Sequence, residues 1–166
     1  MKKLIWLFAL VLVFALSGLI MADDSHKVTV TVNSFARVSV VGTASVELNE
    51  NDFVNGVANK DLTSTVQITV KTNKSAGCKV YASAPDFTIG TASGADSFGI
   101  GLLQAKVNAT GASFVPLSIT STQLVSLNTK QSNVTYDVLF KLVALPETVS
   151  AGDYSTVVTY TAAANS

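Results

Sequence analysis

Three carboxylates stand close together, Glu47, Glu50 and Asp52, interleaved with Asn49 and Asn51. Hard oxygen donors of this kind suit Ca2+. Their spacing is not that of an EF-hand, and no Gly stands where such a loop must turn sharply. A solvated loop is the expectation, with a calcium site as the alternative. With Asp137, the same acids are the material for a hydrolytic carboxylate pair, whose action depends on a separation that sequence does not set. Cys78 is the single thiol and His26 the single imidazole. A thiol nucleophile needs a base beside it. Cys78 instead falls in phase with Val80 and Ala82, as a small buried hydrophobe does. His26 lies near the start of the chain, where ends fray. No HExxH, paired-Cys or G-x-S-x-G motif occurs. Ser93 to Gly101, SGADSFGIG, lacks the Lys-Ser/Thr and helix pattern of a phosphate loop. The expectation is no catalytic, cofactor-binding or metal-binding residue, and a protein that is not an enzyme.

Other short motifs are read the same way. Leu145-Pro146-Glu147-Thr148 matches the first four residues of a sortase signal, but Val149 stands where Gly should, and no apolar span with a basic tail follows. It is expected to connect strands. Asn73-Lys-Ser, Asn108-Ala-Thr and Asn133-Val-Thr are glycosylation sequons, which matter only in a host that glycosylates. Aromatic rings are the usual sugar platforms. The one Trp, Trp6, is in the leader, and three of Tyr81, Tyr136, Tyr154 and Tyr160 follow the parity of a core.

The elements that would position these residues are strands. In Ser132 to Ala163, Val134, Tyr136, Val138, Phe140 and Leu142 fall on every second residue, with Thr135, Asp137 and Lys141 between them. After Pro146 and Gly152, Tyr154, Val158, Tyr160 and Ala162 resume the alternation. This reads as a final strand pair, and one hairpin alone does not offset its ordering entropy, so a second layer is required. Residues 27–41 read as one long strand, or two with a kink near Asn33-Ser34, with Val28, Val30, Val32, Ser34, Ala36, Val38 and Val40 of one parity and Val28, Val30 and Val32 expected to face a core. Val46 to Leu48 reads as a short strand before a polar loop, Asn49 to Lys60. Ser64 to Thr72 and Gly77 to Ala84 read as a hairpin about the turn Asn73 to Gly77. Phe87 to Ile89, Ser97 to Ala109, Phe114 to Ile119 and Leu124 to Leu127 complete the set. Pro116 cannot donate to a ladder and marks an edge. No helical period longer than a turn follows residue 22. Eight to ten short strands with frequent turns indicate an all-β antiparallel sandwich in one domain, residues 23–166.

Lys2 and Lys3, an apolar run and Ala22 form the three parts of a secretory signal peptide over residues 1–22, with Asp23 opening the exported chain. Ile20 is larger than the ideal residue three before the cut. The alternative is a retained anchor, since Leu4 to Ala22 is 19 residues. Cleavage leaves 144 residues and moves the formal charge from 0 to −2, because Lys2 and Lys3 leave and no acid does. Nothing basic enough to hold a phosphate backbone remains, so no nucleic-acid partner is expected, and membrane contact only through the signal. A lone Cys in an exported chain forms no internal disulfide.

The closing AGDYSTVVTYTAAA, Ala151 to Ala164, with its Ala-Gly-x-Tyr turn and alternating Val and Thr, resembles the last strand of secreted bacterial spore-coat-U-like and fimbrial-subunit-like domains. The opening Val28 to Val32, VTVTV, resembles their first strand. The resemblance covers two ends of the chain. It implies an Ig-like fold and a role as a surface or fibre component. Such domains often carry a disulfide, which one Cys cannot supply. The expected function is a secreted, periplasmic or cell-surface structural or adhesive protein of a bacterial envelope. Its partners would be itself or other envelope proteins, joined by edge-strand pairing. The alternative is a secreted glycan- or ligand-binding module.

Overall fold

The computed structural model describes residues 29–89 and 97–166. The expected signal segment with its expected cut after Ala22, His26, Val28 and Ser93 to Asp96 lie outside them. Residues divide into two units, 1–32 and 33–166. Of the first, only residues 29–32 are described, and they form no strand; Val30 and Val32 are 81% and 77% exposed. The buried side expected for these two valines is therefore absent.

The second unit is all-β. Its described residues form fifteen strands, more than the eight to ten expected, because several are two-residue fragments. In order they are β1 (Ala36–Val41), β2 (Ala44–Ser45), β3 (Phe53–Val54), β4 (Val57–Asp61), β5 (Thr63–Ser64), β6 (Gln67–Thr72), β7 (Cys78–Ser83) and β8 (Phe87–Ile89). There follow β9 (Ser97–Phe98), β10 (Leu103–Val107), β11 (Val115–Pro116), β12 (Thr122–Leu127), β13 (Gln131–Pro146), β14 (Tyr154–Ser155) and β15 (Thr159–Ala164). One sheet runs β1-β6-β13-β10-β11, with the β3–β4 hairpin laid along β13. A facing sheet runs β12-β7-β15, and β14-β8-β9 and β2-β5 form two small sheets. Every pairing is antiparallel.

Two-residue periodicity builds the core between the main sheets. Ile68 and Val70 of β6, Cys78 and Val80 of β7, Ala105 of β10 and Val138 of β13 are fully buried, and Phe140 and Leu103 nearly so. Each large apolar side chain contributes about 1.5–3 kcal/mol. Thr72 is buried too, but its hydroxyl donates to the Phe35 carbonyl at 2.8 Å and accepts from the Lys74 N–H at 3.1 Å.

The 16-residue β13 is flanked along one side by the broken run β4–β5–β6. Between those fragments Val138 N–H donates to the Val66 carbonyl, Ser64 Oγ to the Val138 carbonyl and Leu62 N–H to the Phe140 carbonyl, at 2.8, 2.6 and 3.0 Å. Two bulges bend β13, one at Asn133 (φ 93°) and one between Leu142 and Leu145 with Ala144 at φ 54°. The second inverts side-chain parity, so Leu142 and Leu145 both turn inward to a smaller cluster with Ala58. Asn59 Oδ1 accepts the N–H of Ala144 at 3.0 Å and holds the bulge.

Several expectations are corrected here. β6 and β7 are not a hairpin: both sides of β6 are occupied, by β1 and β13, and the chain from Asn73 to Gly77 crosses to the facing sheet. For the same reason the last two strands do not pair; β13 belongs to one sheet and β15 to the other. Val46 to Leu48 is not a strand, and β2 ends at Ser45. Within Asn49 to Lys60, expected as loop, Asn55-Gly56 takes φ 54° and 79°, turning β3 into β4. Ile119 is 68% exposed, since β11 ends at Pro116 and leaves it beyond the ladder. Pro116 does lie on the edge strand expected of it.

Candidate functional site

The first and last strands of the second unit are edge strands of opposite sheets, β1 of the larger and β15 of the smaller. They run beside each other, yet β1 pairs only with β6 and β15 only with β7. An edge strand presents backbone donors and acceptors that a further strand can use. Beside these edges lies a groove of about 380 Å3. Val40, Leu62 and Phe140 line it from the larger sheet and its neighbours; Tyr154, Val157 and Tyr160 line it from the C-terminal side. Val157 is 75% exposed and Val40 41%.

Local sequence explains why the groove is open. Gly42 takes φ +96°, and a Cβ there would overlap the Thr65 carbonyl. Only glycine lets the chain leave β1 so close to Thr65, where Thr65 N–H donates to the Thr43 carbonyl at 2.9 Å and Thr43 N–H to Thr65 Oγ1 at 3.2 Å. β1 thus turns away to β2. On the other side, residues 156–158 join β14 to β15 without belonging to either, and Thr156 Oγ1 donates to the Pro85 carbonyl at 2.7 Å.

Aromatic rings stand at the groove: Phe87 and Tyr154 line it, and both pack on Phe98 behind it. Phe87 and Phe98 stack with centroids 4.4 Å apart at 19°, and Tyr154 tilts against Phe98 at 5.2 Å and 53°. Tyr154 Oη donates to the Ser150 carbonyl at 2.9 Å. The hydroxyl of Tyr160 is buried and has no hydrogen-bond partner. Burial pushes its phenol up to about 12. The oxygen has almost no accessible surface, so it is an unpaired donor inside the wall of the groove rather than one offered to an occupant. Alternation in the sequence placed Tyr160 with the core, but nothing in that pattern marks an unpaired hydroxyl, which depends on what packs above the ring.

The other candidates lie elsewhere. Asp52 is engaged: Lys60 Nζ donates to both its oxygens at 2.9 Å, and Asn49 N–H to Oδ2 at 2.8 Å in a capping box. Lys60, then the Asn49 N–H, hold its carboxyl below the usual value. Lys60 also donates to the Glu47 carbonyl at 2.9 Å. Glu47 and Glu50 are exposed. Among the described residues no three His, Cys, Asp or Glu side chains are grouped to hold a metal ion. Asp137 accepts from Gln67 Nε2 at 2.8 Å on the outer face of the larger sheet. Cys78 is buried in the core, where desolvation raises its thiol. Leu145 is buried and Pro146 ends β13, so the Leu-Pro-Glu-Thr run does connect strands. Of the sequons, Asn73 spends its amide on Phe35 N–H and the Asn33 carbonyl, whereas Asn108 and Asn133 are exposed. No family model matches this chain, and no curated protein matches it, so its edges and groove carry the functional reading.

Proposed function

We propose that this chain is an exported structural component of a bacterial envelope, a coat or fibre subunit, whose copies associate by adding a strand to the β1–β15 edges. The observation that carries the reading is the coincidence of those two unpaired edges with a groove beside them in which Val40 and Val157 stand exposed. The segment Val28 to Val32 has the alternation such an edge accepts, and Val30 and Val32 stand exposed. Burying three valines supplies about 4–9 kcal/mol, comparable with the roughly 4–15 kcal/mol that association costs. Backbone hydrogen bonds therefore decide the affinity. Export by a signal peptide cut between Ala22 and Asp23 belongs to the same reading, and the intact mass of the exported protein tests it; a mass retaining residues 1–22 refutes it. For association, the chain from Asp23 is compared with one carrying Val30→Asp and Val32→Asp, by size-exclusion chromatography and electron microscopy. The first should form higher-order species and the second remain monomeric; equal assembly by both sinks strand addition.

The rings of Phe87 and Tyr154, which line the groove, favour a second reading, a glycan- or ligand-binding module using it. A saturable thermal shift with one compound, lost in a Val157→Glu variant, would select it over strand addition.

A further inference from the structure

The described residues carry eight Lys or Arg and eight Asp or Glu, so the second unit is close to neutral. Its charges are nevertheless segregated along β13. Arg37, Lys71, Lys74, Lys79 and Lys130 all lie at the end where β13 begins, Arg37 and Lys71 on the outer face of the larger sheet and Lys79 on that of the facing one. Arg37 stands opposite Lys71 on the β1–β6 ladder. Lys74 lies in the crossing to β7, Lys79 pairs with Ser126 near the start of β7, and Lys130 directly precedes β13. This end is closed by hydrogen bonds from Asn165 Nδ2 to the carbonyls of Ala76 and Leu127, at 2.6 and 3.0 Å.

No described acidic side chain reaches that end. The nearest on the same face is Asp137, opposite Gln67. That is two outward-facing rows from Lys71, roughly 13 Å, which exceeds the screening length of about 8–10 Å at ordinary salt. Arg37 and Lys71 are both exposed and directly opposed, an arrangement that costs stability unless an anion relieves it. The contact of Arg37 with the Phe35 ring, at 5.7 Å, leaves its charge uncompensated.

The far end of β13, at most about 50 Å along the bent strand, has the opposite sign. Glu147 follows Pro146, and its N–H donates to the Gly56 carbonyl at 2.9 Å. Glu47, Glu50 and Asp52 belong to the neighbouring turn, whose one cation, Lys60, is held by Asp52. Lys141 and Asp61 face each other and cancel.

We propose that the basic end is an interaction surface for the acidic end of a second copy of this chain, so that domains stack head to tail along the direction of β13. This rests on the reading of the chain as an assembling subunit, though not on strand addition as the means. A repeat of this kind is heterologous and non-closing, and it extends into a filament.

The test uses the chain from Asp23 and two charge-reversed forms, one with Lys71→Glu and Lys130→Glu, the other with Glu47→Lys and Glu50→Lys. All four sites are exposed, and Lys71→Glu places an acid opposite Arg37, so folding is retained. Sedimentation should show the unmodified chain associating at low salt and weakening at least about tenfold at high salt. Each reversed form alone should be monomeric, and an equimolar mixture of the two should associate again. Persistence of association in both reversed forms, or no recovery on mixing, overturns the proposal. The Val30→Asp, Val32→Asp chain separates the two readings. If it is monomeric while the charge-reversed forms assemble normally, end-to-end charge pairing fails and strand addition stands. If it assembles normally while the charge-reversed forms do not, strand addition fails and charge pairing stands. Capture of the unmodified chain by dextran sulfate with no self-association at any concentration would mean the basic end serves a polyanion, and would also overturn the proposal.

Discussion

Gly77 and Gly111 have almost the same left-handed backbone, φ +81° and +80°, in different surroundings. A Cβ at Gly111 meets nothing within 4 Å, whereas one at Gly77 would overlap the Leu127 carbonyl and lie 2.8 Å from Thr129 N. Alanine at either position carries the left-handed penalty, about 1–2 kcal/mol. Gly77→Ala must also displace the Leu127 carbonyl, and overpacking of that kind costs about 1–3 kcal/mol. That carbonyl is not free to move, since it accepts from Asn165 Nδ2. Gly77 is itself held, its N–H donating to the Lys74 carbonyl at 3.0 Å and its carbonyl accepting from Asn165 N–H at 3.1 Å. Gly77→Ala should therefore cost about 2–5 kcal/mol and Gly111→Ala about 1–2 kcal/mol. Urea unfolding with a common slope measures the difference. In thermal melts each kcal/mol is worth roughly 3–5 °C for a domain of this size, which separates the two variants by about 3–15 °C. If Gly77→Ala unfolds no earlier than Gly111→Ala, the close approach at the β6–β7 crossing does not exist as described.

Tyr160→Phe removes a buried hydroxyl that has no partner and should raise stability by about 1 kcal/mol; a loss in urea unfolding would mean the hydroxyl is satisfied. Because the folded phenol is pushed up to about 12, its contribution is present below the unfolded value near 10 and is lost as pH rises through about 12. The Phe variant should flatten that part of the alkaline limb. Asp52 has the opposite sign: with its folded value depressed, its contribution is present above about 3.8 and is lost as pH falls through the folded value. Asp52→Asn should flatten the acid limb there, and an unchanged acid limb would deny Lys60 that role. Cys78 should react with a thiol reagent only as fast as the domain opens; labelling of the native protein at the denatured rate would place the thiol outside the core.

Burial was readable wherever strict alternation met a strand with both neighbours in place. Val66, Ile68 and Val70, then Cys78, Val80 and Ala82, and Val138, Phe140 and Leu142 are buried as their parity requires. Pairing was not readable, because alternation fixes which face a residue takes and says nothing about which edge its strand meets. β6 and β7 look like a hairpin from sequence, yet β6 has both edges filled by strands distant in the chain. The Asn55-Gly56 turn carried the strongest short-range hairpin signal in the sequence. It was obscured by the polar residues of the surrounding stretch, whose strands bury only Ala58 fully. Val30 shows the converse limit, a residue with strand parity and no sheet to satisfy it. The groove could not be anticipated, since it arises from Gly42 ending β1 and from the unpaired residues 156–158.

The spine formed by β13 also bears on when the domain can fold. Ser64 reaches Val138 across 74 residues, Asn59 reaches Ala144 across 85, and Asn165 reaches Ala76 across 89. Closure of such spans must precede the contacts that reward it, which places β-rich domains of this kind among millisecond-to-second folders. β6 has no central neighbour, and the main core no Val138 or Phe140, until the chain has emerged past Pro146. A chain that emerges N-terminus first would thus leave its valine-rich strands unpaired for most of its synthesis, exposed to association with other chains. A chain ending before Gln131 should accordingly show no cooperative unfolding transition, while one ending after Asn165 should; a cooperative melt of the shorter chain would show that the N-terminal half folds early.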